Sequence, residues 1–295
     1  MHAVEKLKSQ IEEKDSRVII GLDPDKGWDN IVNSNGKVDK HRLFGVSTEA
    51  VMVAREYIIG VKPNIAYWTA LGAEDVLGDV FRFIADEAPE LVSILDAKFG
   101  DIGATQEMSA LTNFNRYKSD MTTINAYMGT KSTLAPFIVP GEKDEKTPGL
   151  YEWKANHAGI VVAASSNPDA AEFQDMMVEG GLPNYVHMAM NAKKFCPGRV
   201  MAVVGATQPE KAEHIRKMEE GRDDRIIFLC PGLGPKQKGE VSKFVAVAGL
   251  DATYPVSSGI MSPEYRMGMS VKEAAAFYKG KINEELAKAG LGKTR

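Results

Sequence analysis

The chain has 295 residues, of which 44% are hydrophobic and 26% are charged, close to the averages of soluble globular proteins. This composition excludes disordered, collagen-like and disulfide-rich classes. With 36 basic and 40 acidic side chains, the net charge of -4 gives no electrostatic footprint for nucleic acid or an anionic membrane surface. The two cysteines, Cys196 and Cys230, lack metal-ligand spacing, so we expect no metal site.

The N-terminal segment, residues 1–8, is charged and helix-like, with neither a long apolar run nor a small-residue cleavage site. No later apolar stretch approaches the length that spans a bilayer. We therefore expect a cytoplasmic protein with no membrane partner.

Eight short, β-branched apolar runs follow one another along the chain, separated by segments with helical apolar spacing. The runs cover residues 17–23, 57–62, 91–96, 121–125, 158–163, 199–204, 225–229 and 252–256. Near-continuous apolar runs predict strands covered on both faces, as in parallel sheets. Eight such units predict an α/β fold, a (β/α)8 (TIM) barrel that forms one domain over residues 1–295, because such barrels typically have about 250 residues. A doubly wound open sheet is the alternative, although no Gly-x-Gly-x-x-Gly motif follows the first run.

Two segments are not explained by the strand–helix repeat. Residues 139–154, which contain Pro140, Gly141, Pro148 and Gly149 among charged residues, predict an exposed loop excursion after the fourth strand. Residues 175–194 form an insertion of uncertain structure between the fifth and sixth strands.

Charged residues stand where the first three strands end. Asp23 ends the first, Lys62 the second and Asp96 the third, with Lys98 and Asp101 directly after it. Active sites of such barrels lie at the C-terminal ends of the strands. A single strand-end charge is more often a surface charge or salt bridge, but five charges converging on one barrel mouth indicate a catalytic site.

The spacing of Asp96 and Lys98 carries a chemical implication. On an extended strand, residues two apart point to the same face, so these side chains should meet over the barrel mouth. A lysine between carboxylates is favoured in its charged form, which makes it a proton donor rather than an amine nucleophile. Clustered carboxylates also disfavour a substrate anion that the reaction removes. The cluster therefore points towards decarboxylation.

These residues resemble the orotidine 5'-monophosphate decarboxylase family, including its longer bacterial and archaeal-type subgroup. The family pattern Asp-x-Lys-x-x-Asp occurs as Asp96, Lys98 and Asp101, followed by Ile102 and Thr105 at matching places. The resemblance extends, in chain order, over residues 21–24, 61–64, 123–129, 166–168, 204–207 and 231–234.

The resemblance implies conversion of orotidine 5'-monophosphate to uridine 5'-monophosphate and carbon dioxide in de novo pyrimidine biosynthesis, without metal or organic cofactor. By the same carry-over, Lys98 protonates the carbanion left at C6 and Asp96 lies beside the departing carboxylate. Lys62 and Asp23 then hold ribose hydroxyls and complete the charged network.

Other family positions imply binding roles and an assembly. Asp101, with Ile102 and Thr105, is expected to reach the neighbouring subunit's site, which implies a homodimer. Ser166 is expected to read the pyrimidine edge, and Pro231 belongs to the strand-seven loop.

Phosphate binding is where the sequence departs from the family. Ser258, before Gly259, stands where members usually carry an arginine, and Gln237 corresponds to the family glutamine with one extra residue before it. We expect Lys236 or Lys238 to supply the missing positive charge, with help from backbone N–H groups near Gly259. Arg266 is a weaker candidate because it lies further along the chain.

Three other functions stay open at this point. A sugar-phosphate decarboxylase of the same superfamily shares the Asp and Lys motif but uses magnesium. A Schiff-base aldolase needs a neutral strand-end lysine, contrary to the acidic neighbours of Lys98. A non-catalytic barrel that binds a phosphate ligand finds support only in Ser258.

Overall fold

The computed structural model describes residues 1–25, 28, 31–33, 35–139, 154–178, 180–234 and 241–292. Its strands are β1 (Val18–Leu22), β2 (Gly60–Pro63), β3 (Val92–Phe99), β4 (Met121–Ile124), β5 (Ala158–Ala164), β6 (Met177–Val178), β7 (Leu182–Pro183), β8 (Val200–Val204), β9 (Phe228–Leu229) and β10 (Ala252–Val256). Eight of them close a parallel barrel in the order β1-β10-β9-β8-β5-β4-β3-β2, while β6 and β7 form a separate antiparallel hairpin. All eight predicted runs are therefore confirmed as barrel strands.

Helices connect the strands and cover the outside of the barrel. They are α1 (Ala3–Lys14), α2 (Lys40–Ala54), α3 (Ile65–Ala70), α4 (Glu74–Glu87), α5 (Gly103–Thr112), α6 (Thr130–Ile138), α7 (Ala171–Gln174), α8 (Asn184–Phe195), α9 (Pro209–Lys217), α10 (Val241–Ala248), α11 (Ser258–Met261) and α12 (Val271–Lys288). In the described part of the chain, no helix has both the length and the apolarity needed to cross a membrane.

The N-terminal helix α1 closes the bottom of the barrel. Its apolar residues Ala3, Val4 and Leu7 pack into a core cluster with side chains from inside the barrel, including Ile94 and Ile160. At its edge, Lys6 Nζ lies 2.9 Å from Asp120 Oδ2, which also accepts from Ser93. The opposite end, where the strands finish, is left as the open mouth.

The segment 175–194, which the sequence leaves as an insertion, has a regular structure. The hairpin β6–β7 leads directly into α8, whose Tyr185, Val186, Ala189 and Ala192 are buried. Helix α8 packs on β5 and β8, so it is the crossover helix between these strands and only the hairpin is extra. The other predicted excursion lies outside the described residues, except for its ends Val139 and Lys154.

The C-terminal helix α12 packs against α2 and α10 on the outside of the barrel. Asn283 on this helix donates from Nδ2 to the carbonyl of Asp15, at 2.7 Å, just after α1 ends. Both terminal helices are thus held on the same barrel.

Candidate active site

A cavity of about 300 Å³ opens at the C-terminal ends of the barrel strands. Its charged lining residues are Asp23, Asp25, Lys62, Asp96 and Lys98. Its polar lining includes Asn64, Tyr67, Thr123, Ser165, Ser166, Ser257, Ser258 and Ser262, and its floor is apolar through Val162, Val203 and Leu229. The predicted convergence of charges on the barrel mouth is confirmed for Asp23, Lys62, Asp96 and Lys98.

The carboxylate of Asp96 is the centre of this charged group. Its Oδ2 accepts from Lys62 Nζ at 2.6 Å, and its Oδ1 accepts from Lys98 Nζ at 2.6 Å and from Thr123 Oγ1 at 2.9 Å. Asp96 is 8% exposed and Lys62 is 6% exposed, whereas the Lys98 side chain is 52% exposed. The carboxylate is therefore fixed from two sides, and Lys98 is the cation that faces the open cavity.

The backbone reaches this arrangement through an irregularity that the sequence does not reveal. The pairing of β3 with β4 shifts between Leu95 and Phe99, and Lys98 has a φ of 49°, in the left-handed region. Asp96 and Lys98 do face one cavity, as predicted. The extended geometry assumed for them is wrong at Lys98, because the strand bulges there.

The electrostatics keep Asp96 and Lys62 charged. Burial alone raises the pKa of Asp96, but the ammonium groups of Lys62 and Lys98 outweigh burial and hold this pKa well below its ordinary value. Burial alone lowers the pKa of Lys62, but Asp96 and Asp23 outweigh it and raise the pKa above its ordinary value. The centre of the site is thus an ion pair at neutral pH.

Asp23 is protonated more easily than Asp96. Burial, together with the negative charge of Asp96, raises the pKa of Asp23 despite the opposing effect of Lys62. Its carboxylate also accepts from the Asn64 backbone N–H at 3.1 Å and from the hydroxyl of Ser257. As the pH falls, Asp23 takes up a proton before Asp96 does.

Ser166 is placed by a close approach between two strand ends. A Cβ atom on Gly205 would lie 2.5 Å from the Ser166 backbone N and Cα, so only glycine fits there. Thr207 Oγ1 also donates to the Ser166 carbonyl at 2.9 Å. Ser166 and Pro231, both predicted site residues, line the cavity.

At the end of the cavity expected to bind phosphate, Ser258 lines the wall, whereas Gly259 is buried behind it. A Cβ on Gly259 would lie 2.2 Å from the Tyr278 hydroxyl, so α11 packs tightly against α12. Arg266 is not a lining residue. Lys236, Gln237 and Lys238 lie outside the described residues.

The predicted residues at the start of α5 also do not line this cavity. Asp101, Ile102 and Thr105 are exposed at the start of α5. Asp101 Oδ1 accepts from the Ile102 N–H at 2.8 Å, and the Asp101 N–H donates to Gln106 Oε1 at 3.2 Å. Hydrogen bonds hold the backbone at Asp101 and Ile102, and none of the three side chains lines the cavity of its own chain.

Several cavity residues were given no role in the site from the sequence. Thr123 contacts Asp96 directly, whereas Asn64, Tyr67 and Asp25 line the cavity. Their closeness in sequence to Lys62 or Asp23 is the signal that could have identified the last three as site residues. Neutral hydroxyl and amide residues at strand ends are common in turns, so their type alone carries no signal.

We predict that Lys62→Met lowers the free energy of unfolding by about 3 kcal/mol, because it leaves Asp96 buried with one cation fewer. Lys40→Met is the matched control: Lys40 Nζ lies 2.8 Å from Asp75 Oδ1, but both side chains are about half exposed or more. The control should cost less than about 1 kcal/mol. Urea denaturation measures both, and equal losses would contradict the importance of the buried pair.

Comparisons with known proteins agree with this geometry. Residues 16–249 match the model of the Orotidine 5'-phosphate decarboxylase / HUMPS family. The chain is 32% identical to orotidine 5'-phosphate decarboxylase of Cellvibrio japonicus over 248 residues, which cover 83% of this chain and 82% of that protein. It is 30% identical to the Janthinobacterium sp. enzyme of the same name over 291 residues, covering 98% and 94%.

The fold is also that of the solved OMP decarboxylase structure of Leishmania donovani, with a TM-score of 0.74 and 22% identity over 97% of this chain and 98% of that one. Together, the family match over most of the barrel and the relatives at 30% identity or more show that this chain belongs to the orotidine 5'-phosphate decarboxylase / HUMPS family.

Proposed function

We propose that this chain is an orotidine 5'-phosphate decarboxylase, which converts orotidine 5'-monophosphate to uridine 5'-monophosphate and carbon dioxide. The observation that carries the proposal is the ionised Asp96, held between Lys62 and Lys98 at the mouth of the barrel. Relatives named for this activity cover most of the chain. As the family implies, we assign the reaction to de novo pyrimidine biosynthesis.

The charges account for the bond that breaks. A substrate carboxylate beside the Asp96 carboxylate meets repulsion that disappears when carbon dioxide leaves. The C6–carboxylate bond breaks and its electron pair stays on C6. Lys98, whose side chain is 52% exposed, lines the cavity, and its ammonium stabilises this carbanion and then donates a proton to it. Lys98 regains its proton from water, so the reaction needs no metal or organic cofactor.

The remaining cavity residues bind the rest of the nucleotide. Asp23, Lys62 and Ser166 line the cavity. In the proposed binding mode, Asp23 and Lys62 bind the ribose hydroxyls and Ser166 binds the edge of the pyrimidine. Pro231 and Ser258 line the cavity at the proposed phosphate end. Backbone N–H groups near Gly259, together with Gln237 and Lys236 or Lys238, are proposed to bind the phosphate. This division leaves Lys98 free for chemistry.

The direct test follows the ultraviolet absorbance of orotidine 5'-monophosphate with purified protein. Turnover is expected for the wild type and should survive a chelator, unlike turnover by a magnesium-dependent sugar-phosphate decarboxylase. Lys98→Ala should lower kcat by about 10²–10⁴-fold, because it removes the proton donor. Lys40→Ala, on the outside of the barrel, is the control that should keep full activity. A folded wild type without turnover would contradict the proposal.

The same assay tests the phosphate end. If these lysines bind the phosphate, the double variant with Lys236→Ala and Lys238→Ala should raise KM while kcat stays close to wild type, since the phosphate of the substrate takes no part in the reaction at C6. An unchanged KM would remove both lysines from the site.

We further propose a homodimer in which Asp101 completes the neighbouring site, with Ile102 and Thr105 beside it. All three are exposed and lie outside the cavity of their own chain. Exposed apolar side chains surround the same side of the mouth: Ile102 is 42% exposed after β3, and Tyr127 is 75% exposed after β4. A self-complementary interface with a second copy would cover them.

Mixing two inactive variants tests this sharing. Lys98→Ala and Asp101→Ala homodimers each lack one group at both sites. After joint unfolding and refolding, a mixed dimer has one complete site, so activity should return to about a quarter of wild type if subunits combine at random. Either variant refolded alone should stay inactive. A mixture no more active than its parents would contradict shared sites.

The packing of the terminal helices bears on how the chain is divided into domains. Because both terminal helices pack on the barrel, residues 1–295 are proposed to form one domain that unfolds in a single transition; two separate transitions in urea would contradict this. The cytoplasmic location stays a prediction.

A further inference from the structure

The hydroxyl of Thr123 joins the two parts of the charged site that the chemistry requires. Its Oγ1 donates to Asp96 Oδ1 at 2.9 Å and accepts from the backbone N–H of Lys98, also at 2.9 Å. Thr123 is 1% exposed and stands on β4, next to the bulge of β3. One buried side chain thus bonds to the carboxylate of Asp96 and to the backbone of Lys98.

The contact lies where the barrel ladder is interrupted. Ile94 and Leu95 pair with Met121 and Thr122, and pairing resumes only at Phe99 with Ile124. Within this gap, the Lys98 N–H bonds to a side chain instead of a strand carbonyl. The Thr123 hydroxyl therefore takes the place of a ladder acceptor across the bulge.

The backbone at this point is in a conformation that non-glycine residues rarely adopt. In the described part of the chain, the non-glycine residues with positive φ are Asp15, Lys98, Lys118 and Met267. Of these, Lys98 alone lines the cavity. Such a conformation persists only when its surroundings hold it. The hydrogen bond from the Lys98 N–H to Thr123 Oγ1 stabilises this conformation, in which the Lys98 ammonium contacts Asp96.

Threonine suits this position better than other small residues. A hydroxyl can donate one hydrogen bond and accept another at the same time, which valine and alanine cannot do. The β-branch restricts χ1, so the hydroxyl stays aimed between its two partners. Serine keeps the hydroxyl but loses this restriction.

We infer that Thr123 is a positioning residue for the decarboxylation, which keeps Asp96 and Lys98 in register with each other and with C6 of the substrate. The inference rests on the proposed function. Thr123 acts through the orientation of Asp96 and Lys98, so its loss should slow the chemical step and spare the binding of the nucleotide.

The test compares Thr123→Val, Thr123→Ser and Thr122→Val with the wild type. Thr122 is the matched control because it is fully buried on the same strand, and its hydroxyl contacts Ser119 Oγ at 3.5 Å, away from the cavity. Each variant is assayed for kcat, for KM and for affinity towards uridine 5'-monophosphate. Thermal unfolding shows whether each variant is folded.

For Thr123→Val, kcat should fall by about 10- to 100-fold, the effect of losing a hydrogen bond to a charged group. Its KM and its affinity for uridine 5'-monophosphate should change by less than about threefold, since the residue makes its contribution in the transition state. Thr123→Ser should stay within about threefold of wild-type kcat because the hydroxyl remains. Thr122→Val should match the wild type.

A folded Thr123→Val with wild-type kcat would overturn the inference, as would a Thr122→Val that loses as much kcat, because the effect would then be a general loss of strand packing. If Thr123→Val does not fold, kcat of Thr123→Ala is measured beside Thr123→Ser under the same criteria. A wild type without turnover refutes the proposed function, and crystal structures then decide whether Thr123 positions Asp96 and Lys98. A lengthened Lys98 Nζ to Asp96 Oδ1 distance in Thr123→Val supports it, and an unchanged 2.6 Å separation overturns it.

Discussion

The structure of the site depends on keeping the Asp96 carboxylate ionised inside the barrel mouth. A buried charge is tolerated only when it is paired and fully hydrogen-bonded, and Asp96 has Lys62, Lys98 and Thr123 as donors. Removing either lysine takes away a positive charge that balances Asp96, and removing the Thr123 hydroxyl leaves the carboxylate one hydrogen bond short. In the proposed mechanism, the same arrangement favours decarboxylation, since a substrate carboxylate placed beside Asp96 is repelled until it leaves as carbon dioxide.

The barrel supplies the geometry that this charge needs. Parallel strands bring β1, β2, β3 and β4 to the mouth side by side, so residues far apart in sequence become neighbours. Helix α1 seals the opposite end, which leaves the strand ends as the open face of the barrel core. The cavity floor is apolar, and water is less able to screen the charges above it.

The sequence predicts this architecture well because the spacing of apolar residues and the charges at strand ends can be read locally along the chain. The eight runs, and the placement of Asp23, Lys62, Asp96 and Lys98, follow from them. The bulge at Lys98 does not, because it depends on which side chain the neighbouring strand offers, and Thr122 and Thr123 look equivalent in the sequence. Helix α8 was obscured because the hairpin before it breaks the repeat. At the phosphate end, the sequence shows that Ser258 stands in place of the usual arginine, but it does not show which group supplies the positive charge instead.

The central claim is that Lys98 acts on C6 of the nucleotide while Asp96 stands beside the place that the carboxylate leaves. A crystal structure of the protein with bound uridine 5'-monophosphate tests it most directly. In that complex, C6 is expected to lie about 3–3.5 Å from Lys98 Nζ, the separation of reacting atoms in a near-attack arrangement, with Asp96 on the same edge of the base. A base bound with C6 turned away from Lys98, towards Ser166 or solvent, would contradict it.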